Sequence, residues 1–238
     1  MNKLALSLAT LRYDHVADLI TGHVTAEGIT LNYLELSYHE ILLRGVLFHD
    51  FDVAEISMAK YASMRSSGDD SLIAIPVFPN RMVRHTSIYV LEGGPIKTPA
   101  DLAGRRIGLP EWAQTAAQRY VREMGIYPVM HTIVIRKDLL DRAPWVAANL
   151  YAAFEEAKRN SLERAFFAGA SMFPIAWHAE YARHTKQIIG DDIFPYGVEA
   201  NRVTLEAFLD YAYEQGVCSR RLAIDELFAP QTLVHAHV

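Results

Sequence analysis

The sequence predicts an α/β fold built on a mixed sheet flanked by helices. Three observations carry that expectation: short apolar strands and amphipathic helices alternate through the first ninety residues, turn residues separate them, and the chain is long enough to bury a core. At 238 residues, with 51% hydrophobic and 21% charged, composition is that of an ordinary globular chain of one or two domains.

Leu4, Leu6 and Leu8 alternate with small residues and predict a first strand over Leu4–Leu8. Tyr13–Thr21 follows with helical spacing and should stop at Gly22. Thr30–Leu36 alternates again as a strand, and Tyr38–Phe48 is helical, with Ile41, Leu42, Val46 and Leu47 facing a core. Phe51–Ile56 is a short apolar strand, Ser57–Ser66 a helix ending before Gly68, and Leu72–Val77 and Ser87–Leu91 are further strands. Beyond a turn-rich break, Thr98 should cap a helical turn closed by Gly104. Ile107–Leu109 reads as a strand and Thr115–Met124 as a helix. Thr132–Arg136 is β-branched and should be a strand. Pro144–Phe167 is the longest helical pattern, with Asp141 as a nearby cap. Thr204–Gln215 is a second clear helix and Arg221–Leu227 a third.

Several function classes are excluded early. A net charge of −5 provides no basic footprint for nucleic acid and no polybasic membrane surface. No stretch approaches the ~18 apolar residues of a membrane span. The apolar run at the N-terminus is short and is followed at once by Arg12, Asp14, His15 and Asp18, so a cytoplasmic location is expected. Cys218 is the single cysteine, which excludes an internal disulfide and a thiolate metal cluster. His235 and His237 alternate at the C-terminus but read as a frayed tail, so no metal set is expected. There is no phosphate loop, zinc-protease motif or nucleophile elbow. Glu155, Glu156 and Lys158 read as the solvated face of the long helix. Trp145, Phe154, Phe166 and Phe167 read as core or interface aromatics.

The segment IKTPADLAGRRIGLP at 96–110 resembles the crossing between lobes in type 2 periplasmic binding proteins. FDVAEISM at 51–58, AIPVFPNR at 74–81, RHTSIY at 84–89, YPVMH at 127–131, PYGVEANR at 195–202 and YAYEQG at 211–216 resemble the 4,5-dihydroxyphthalate decarboxylase family. The resemblance implies a periplasmic-binding-protein-like lobe, with residues 1–91 and 131–238 as the main α/β unit. In one respect the chain departs from the family: residues 92–130, where a second lobe belongs, are fewer than the ~50 an independent domain needs, leaving a shortened remnant.

The resemblance also implies decarboxylation of a hydroxylated aromatic dicarboxylate without an organic cofactor. That chemistry asks for a guanidinium to hold a carboxylate, a partner for the phenol, and a general acid to protonate the ring carbon. Arg81, Arg84 and His85 sit at a loop-to-strand junction, where α/β folds place ligand groups. Arg81 and Arg84 are the expected carboxylate holders and His85 a proton donor or phenol partner, although the same trio also fits a solvated basic edge. His131 stands at the return crossing as a second candidate acid or a hydrogen-bonded core histidine. Ser57 and Lys60 open a helix whose free amides suit an anion, and Ser57 equally fits an ordinary cap. Asp14, with Tyr13 and His15 after the first strand, is either a substrate contact or a helix cap. Glu111 and Thr115 would belong to the second lobe.

Two other readings fit the same residues. One is a binding protein for small anions or aromatic acids that lacks turnover. The other is a shortened subunit whose open cleft is closed by a partner. The partner expected throughout is a small aromatic carboxylate. An apolar cleft face left open would favour a homo-oligomer.

Overall fold

A computed structural model of the chain describes residues 3–83, 93–98, 101, 120–170 and 172–233. The predicted strands Ser87–Leu91 and Ile107–Leu109 lie outside the described residues, as do Glu111, Thr115, His235 and His237. Of the helix expected over Thr115–Met124, residues 120–124 are described and are helical.

The α/β architecture is as predicted. Strands β1 (Leu4–Ala9), β2 (Ile29–Leu34), β3 (Val53–Ser57), β4 (Leu72–Ile75) and β5 (His131–Arg136) form one five-stranded sheet in the order β2-β1-β3-β5-β4. β1 pairs in parallel with β2 and with β3, with Leu6 opposite Leu31 and Leu8 opposite Val53. β5 runs antiparallel to both β3 and β4, placing Ser57 opposite His131 and Ile75 opposite Ile133. β1 to β4 therefore point the same way, and their carboxyl ends share an edge with the start of β5. In open α/β sheets that edge is where ligands bind.

Helices α1 (Asp14–Thr21), α2 (Tyr38–Leu47) and α3 (Met58–Ser66) follow the first three strands. α1 ends where Gly22 takes up the left-handed conformation (φ 79°, ψ 12°), open to glycine at little cost. Ser37 and Ser57 cap α2 and α3, each accepting a backbone N–H three residues on. α4 (Lys137–Arg142) and the long α5 (Trp145–Phe166) follow β5, and α5 lies along α1. α6 (His178–Ile189) and α7 (Arg202–Glu214) complete the helices.

The core runs between sheet and helices. Leu8, Ile56, Ile133 and Ile135 of the strands are fully buried, as are Ile41 of α2 and Leu150 and Phe154 of α5. Burying each such side chain contributes roughly 1.5–3 kcal/mol.

Four local expectations differ from the structure. α4 and α6 carry too few apolar residues to stand out in the sequence: α4 buries only Leu139 and Leu140, and α6 buries two alanines, Ala179 and Ala182. Asp141 does not cap α5, because its carboxylate pairs with Lys137 at 2.6 Å. Instead of a helix, Arg221–Leu227 contributes a single 3₁₀ turn, Ile224–Glu226. Lys158 is buried rather than solvated, held by Glu155 (2.8 Å) and Asp192 (2.6 Å) with its ammonium over the Tyr196 ring.

Candidate active site

Glu55 is the third residue of β3, in a run of otherwise apolar or small side chains, and it is fully buried. A carboxylate there would be prohibitively costly unless its oxygens were hydrogen-bonded. Four donors meet that need. Oε2 accepts from the Thr10 hydroxyl (2.7 Å) and the Leu11 backbone N–H (2.9 Å), both in the loop after β1. Oε1 accepts from the Tyr13 hydroxyl (2.8 Å) and from Nδ1 of His131 (2.6 Å). Burial pushes the Glu55 carboxyl up, but the bonds from His131, Leu11, Thr10 and Tyr13 outweigh it and hold the group below its usual range. Glu55 is thus ionised at neutral pH and can only accept.

That fixes the tautomer of His131. Its Nδ1 must carry the proton given to Glu55, so Nε2 is left for other work, and it makes no hydrogen bond among the described residues. The register of the sheet makes this pair possible: His131 lies opposite Ser57, two residues along from Glu55, so both side chains stand on one face. No lysine or arginine among the described residues pairs with Glu55, and His131 is its sole ion-pair partner there. A proton gained at Nε2 would therefore be balanced by a charge already in place.

The walls are aromatic. The Tyr38 ring lies on the His131 imidazole, with centroids 4.3 Å apart and planes within 5° of parallel. On the other side of Glu55, Tyr13 stacks on His15 at 5.1 Å, and His15 leans against Phe194 at 4.6 Å. Burial first, then the Glu55 charge, push the phenols of Tyr13 and Tyr38 up, that of Tyr38 to about 12, so both stay protonated; Tyr13 donates to Glu55, whereas the buried Tyr38 hydroxyl finds no hydrogen-bond partner among the described residues. His15 is pushed down to about 4, chiefly by burial, and its Nε2 lies 3.1 Å from the Pro79 carbonyl.

No protein-family model matches the chain. It aligns with 4,5-dihydroxyphthalate decarboxylase of Comamonas testosteroni at 26% identity over 325 positions, covering 98% of each protein. The enzyme of that name from Pseudomonas putida is 40% identical over 116 residues, 49% of this chain and 45% of its own length. The chain is similar along nearly its whole length to a 4,5-dihydroxyphthalate decarboxylase. The longer alignment has more positions than the chain has residues, so part of the Comamonas decarboxylase faces gaps here. Among solved structures, a Candida albicans protein described as having the generic periplasmic binding protein fold aligns at TM-score 0.49 and 10% identity, over 94% of this chain and 93% of its own. The periplasmic aliphatic sulphonate binding protein of Escherichia coli aligns at 0.49 and 14%, over 97% and 99%.

Set against this relation to the decarboxylases, the residues singled out in the sequence fare differently. His131 is at the centre of the site. Arg81 is buried beneath it: its Nη atoms bond the carbonyls of Tyr127 (2.8 Å) and Pro195 and the Asn201 side chain. Its guanidinium also lies near the rings of Phe78, Tyr127 and Phe194, so the group expected to hold a carboxylate instead ties its own segment to Tyr127 and to residues 195–201. Ser57 caps α3 through the Lys60 N–H at 3.4 Å, and Met58 N–H donates to the Met130 carbonyl. Two of that helix's first three amides are thereby used, and the Lys60 side chain is exposed. Asp14 neither caps α1 nor faces Glu55; its carboxylate binds Ser161 (2.6 Å) and Arg164 (3.2 Å) of α5. Arg84 and His85 lie outside the described residues.

Glu55, Tyr38 and Thr10 were missed as site residues. For Glu55 the signal was present: one ionisable residue within an apolar strand is either paired or functional. Tyr38 and Thr10 carry no comparable mark, because only tertiary contact brings them to His131 and Glu55.

Among the described residues no cluster of three or more His, Cys, Asp or Glu is arranged to hold a metal ion, and no helix is long and apolar enough to cross a membrane.

Proposed function

We propose that the chain decarboxylates a hydroxylated aromatic dicarboxylate of the 4,5-dihydroxyphthalate kind, without an organic cofactor, in the cytoplasm. The products are 3,4-dihydroxybenzoate and carbon dioxide. The single observation that carries this reading is the buried Glu55 carboxylate bonded to Nδ1 of His131, with Nε2 left unbonded at the ligand-binding edge of the sheet.

In this reading His131, as imidazolium, gives its Nε2 proton to the ring carbon that bears the departing carboxylate. The phenol para to that carbon passes its proton to its partner, for which His85 is proposed, and supplies electron density to the ring. The carbon–carboxylate bond then breaks, carbon dioxide departs, and the bond's electron pair restores the aromatic ring as a phenolate, which takes the proton back from that partner. Glu55 stabilises the imidazolium before transfer. Tyr13 and Thr10 hold Glu55 in place, and Arg84 and His85 are the proposed carboxylate anchor and phenol partner.

A binding protein without turnover is the second reading. The described site residues all come from one α/β unit, whereas catalysis needs water excluded from two sides. One assay separates the two. Purified protein is given 4,5-dihydroxyphthalate, carbon dioxide is measured, and His131→Asn is the control. Release lost in the variant supports the decarboxylase. Binding of the compound without release by the wild-type protein would overturn it in favour of the binding protein.

A further inference from the structure

A general acid must present its proton along one direction, yet an imidazole held only through Nδ1 can still pivot about that bond. Tyr38 blocks the pivot. It is the first residue of α2, set in place by the Ser37 cap, and its ring covers one face of His131 at 4.3 Å with planes 5° apart. The edge of the Tyr38 ring meets the neighbouring His39, at 6.3 Å and 66°. Among the described residues, Glu55 on Nδ1 is the hydrogen-bond partner of the imidazole and Tyr38 on one face is its ring partner.

We propose that Tyr38 is a positioning residue: its stacked ring fixes the plane of His131, so the Nε2 proton leaves in that plane and the aromatic substrate must stand across it. A ring carbon is protonated along the normal to its own plane. The substrate ring therefore lies roughly perpendicular to the imidazole and cannot stack on the face that Tyr38 covers. The working element of Tyr38 is the ring and not the hydroxyl. This inference rests on the reading of His131 as the proton donor.

The test compares Tyr38→Phe and Tyr38→Leu in the full chain by two readouts. The first is the NMR position of the His131 ring protons, which a parallel aromatic ring displaces upfield. The second is the kcat and KM of carbon dioxide release. Wild type and Tyr38→Phe should both show the displacement, with kcat equal within about twofold. Tyr38→Leu should lose the displacement and about tenfold in kcat, a loss within the roughly 0.5–1.5 kcal/mol of an aromatic pair, with KM changed less.

Full kcat in Tyr38→Leu would overturn the proposal. So would a tenfold loss in Tyr38→Phe with the displacement retained, which would assign the role to the hydroxyl and remains readable if the leucine variant does not fold. No release by any form, with the displacement present in wild type, would reject the decarboxylase reading and leave the stack standing as structure. Absence of the displacement in wild type would reject the stack itself.

Discussion

Replacing Glu55 by glutamine keeps the shape of the site and removes its charge, and the hydrogen-bond inventory fixes the consequence. All four partners of the carboxylate are donors: Thr10 Oγ1, Leu11 N, Tyr13 Oη and His131 Nδ1. Glutamine brings one oxygen and one amino group. The Leu11 N–H cannot reverse, so the oxygen must stay toward Leu11 and Thr10, leaving the amino group toward Tyr13 and His131. Tyr13 can rotate its hydroxyl to accept. His131 can accept only with Nδ1 unprotonated, that is, as the neutral tautomer with its one proton on Nε2, and that form is a poor acid compared with the imidazolium. A hydrogen bond to a charged group is worth about 1.5–3 kcal/mol against about 1 for a neutral one, so roughly 0.5–2 kcal/mol is lost at His131 alone. On that basis carbon dioxide release at neutral pH should fall about tenfold, and nitrogen-15 NMR should show the His131 proton transferred to Nε2. A Glu55→Gln protein with the wild-type rate and the Nδ1 proton still in place would refute the assignment of Glu55 as partner to the acid.

Other outcomes follow from the same contacts. Arg81→Ala should cost about 3 kcal/mol, since the Tyr127 carbonyl and the buried Asn201 side-chain oxygen lose their donor while the Pro195 carbonyl keeps only the Asn201 amide; a denaturant midpoint close to wild type would show that Arg81 is not the structural tie described here. Lys158→Ala leaves Glu155 and Asp192 without their shared cation, but both carboxylates reach solvent, so it should cost about 1–3 kcal/mol by urea unfolding, with Lys158→Met costing less. The folded state holds His15 neutral at about 4, below its ordinary 6.5, so the unfolded chain binds the extra proton between those values. Stability from this group is therefore complete above pH 6.5 and falls as the pH drops toward 4, by roughly 2–3 kcal/mol, and His15→Gln should flatten that part of the stability–pH curve. The depressed Glu55 carboxyl acts in the same direction at lower pH: its contribution is present above the ordinary glutamate range and is lost as pH falls through its lowered folded value, and Glu55→Gln should remove it.

What was legible in the sequence was whatever has a period or a local chemical mark. Leu4, Leu6 and Leu8 announced β1, Gly22 announced the end of α1, and Ser57 announced the cap of α3, because alternation, left-handed backbone and capping are decided within a few residues. α6 was not legible, since alanines replace the usual apolar stripe. The site was half legible. His131 stood out by residue type and by its place before a β-branched strand. Its meaning came from Glu55, whose pairing depends on the antiparallel register of β3 and β5, and no local pattern encodes that register. Arg81 misled for the same reason: an arginine beside a strand looks like a ligand group until the Tyr127 and Pro195 carbonyls are known to converge on it.

The same register holds the two ends of the crossing between β4 and β5 together. The crossing is pinned at its root. The Asn80 carbonyl accepts from the N–H groups of Met130 (2.9 Å) and His131 (3.3 Å), Met58 N–H donates to the Met130 carbonyl at 2.9 Å, and Arg81 pairs with Val129 as an antiparallel bridge. These bonds fix where the chain leaves the sheet and where it returns, and they fix His131 against Glu55, whatever lies between. In the proposed reaction, the proton-donating pair would thus belong to the α/β unit described here. Residues contributed from beyond the crossing would govern how the substrate is enclosed. A change in the 92–130 interval should accordingly alter KM and the exclusion of water before it disturbs the Glu55–His131 bond, which a pH titration of the His131 ring protons by NMR would report.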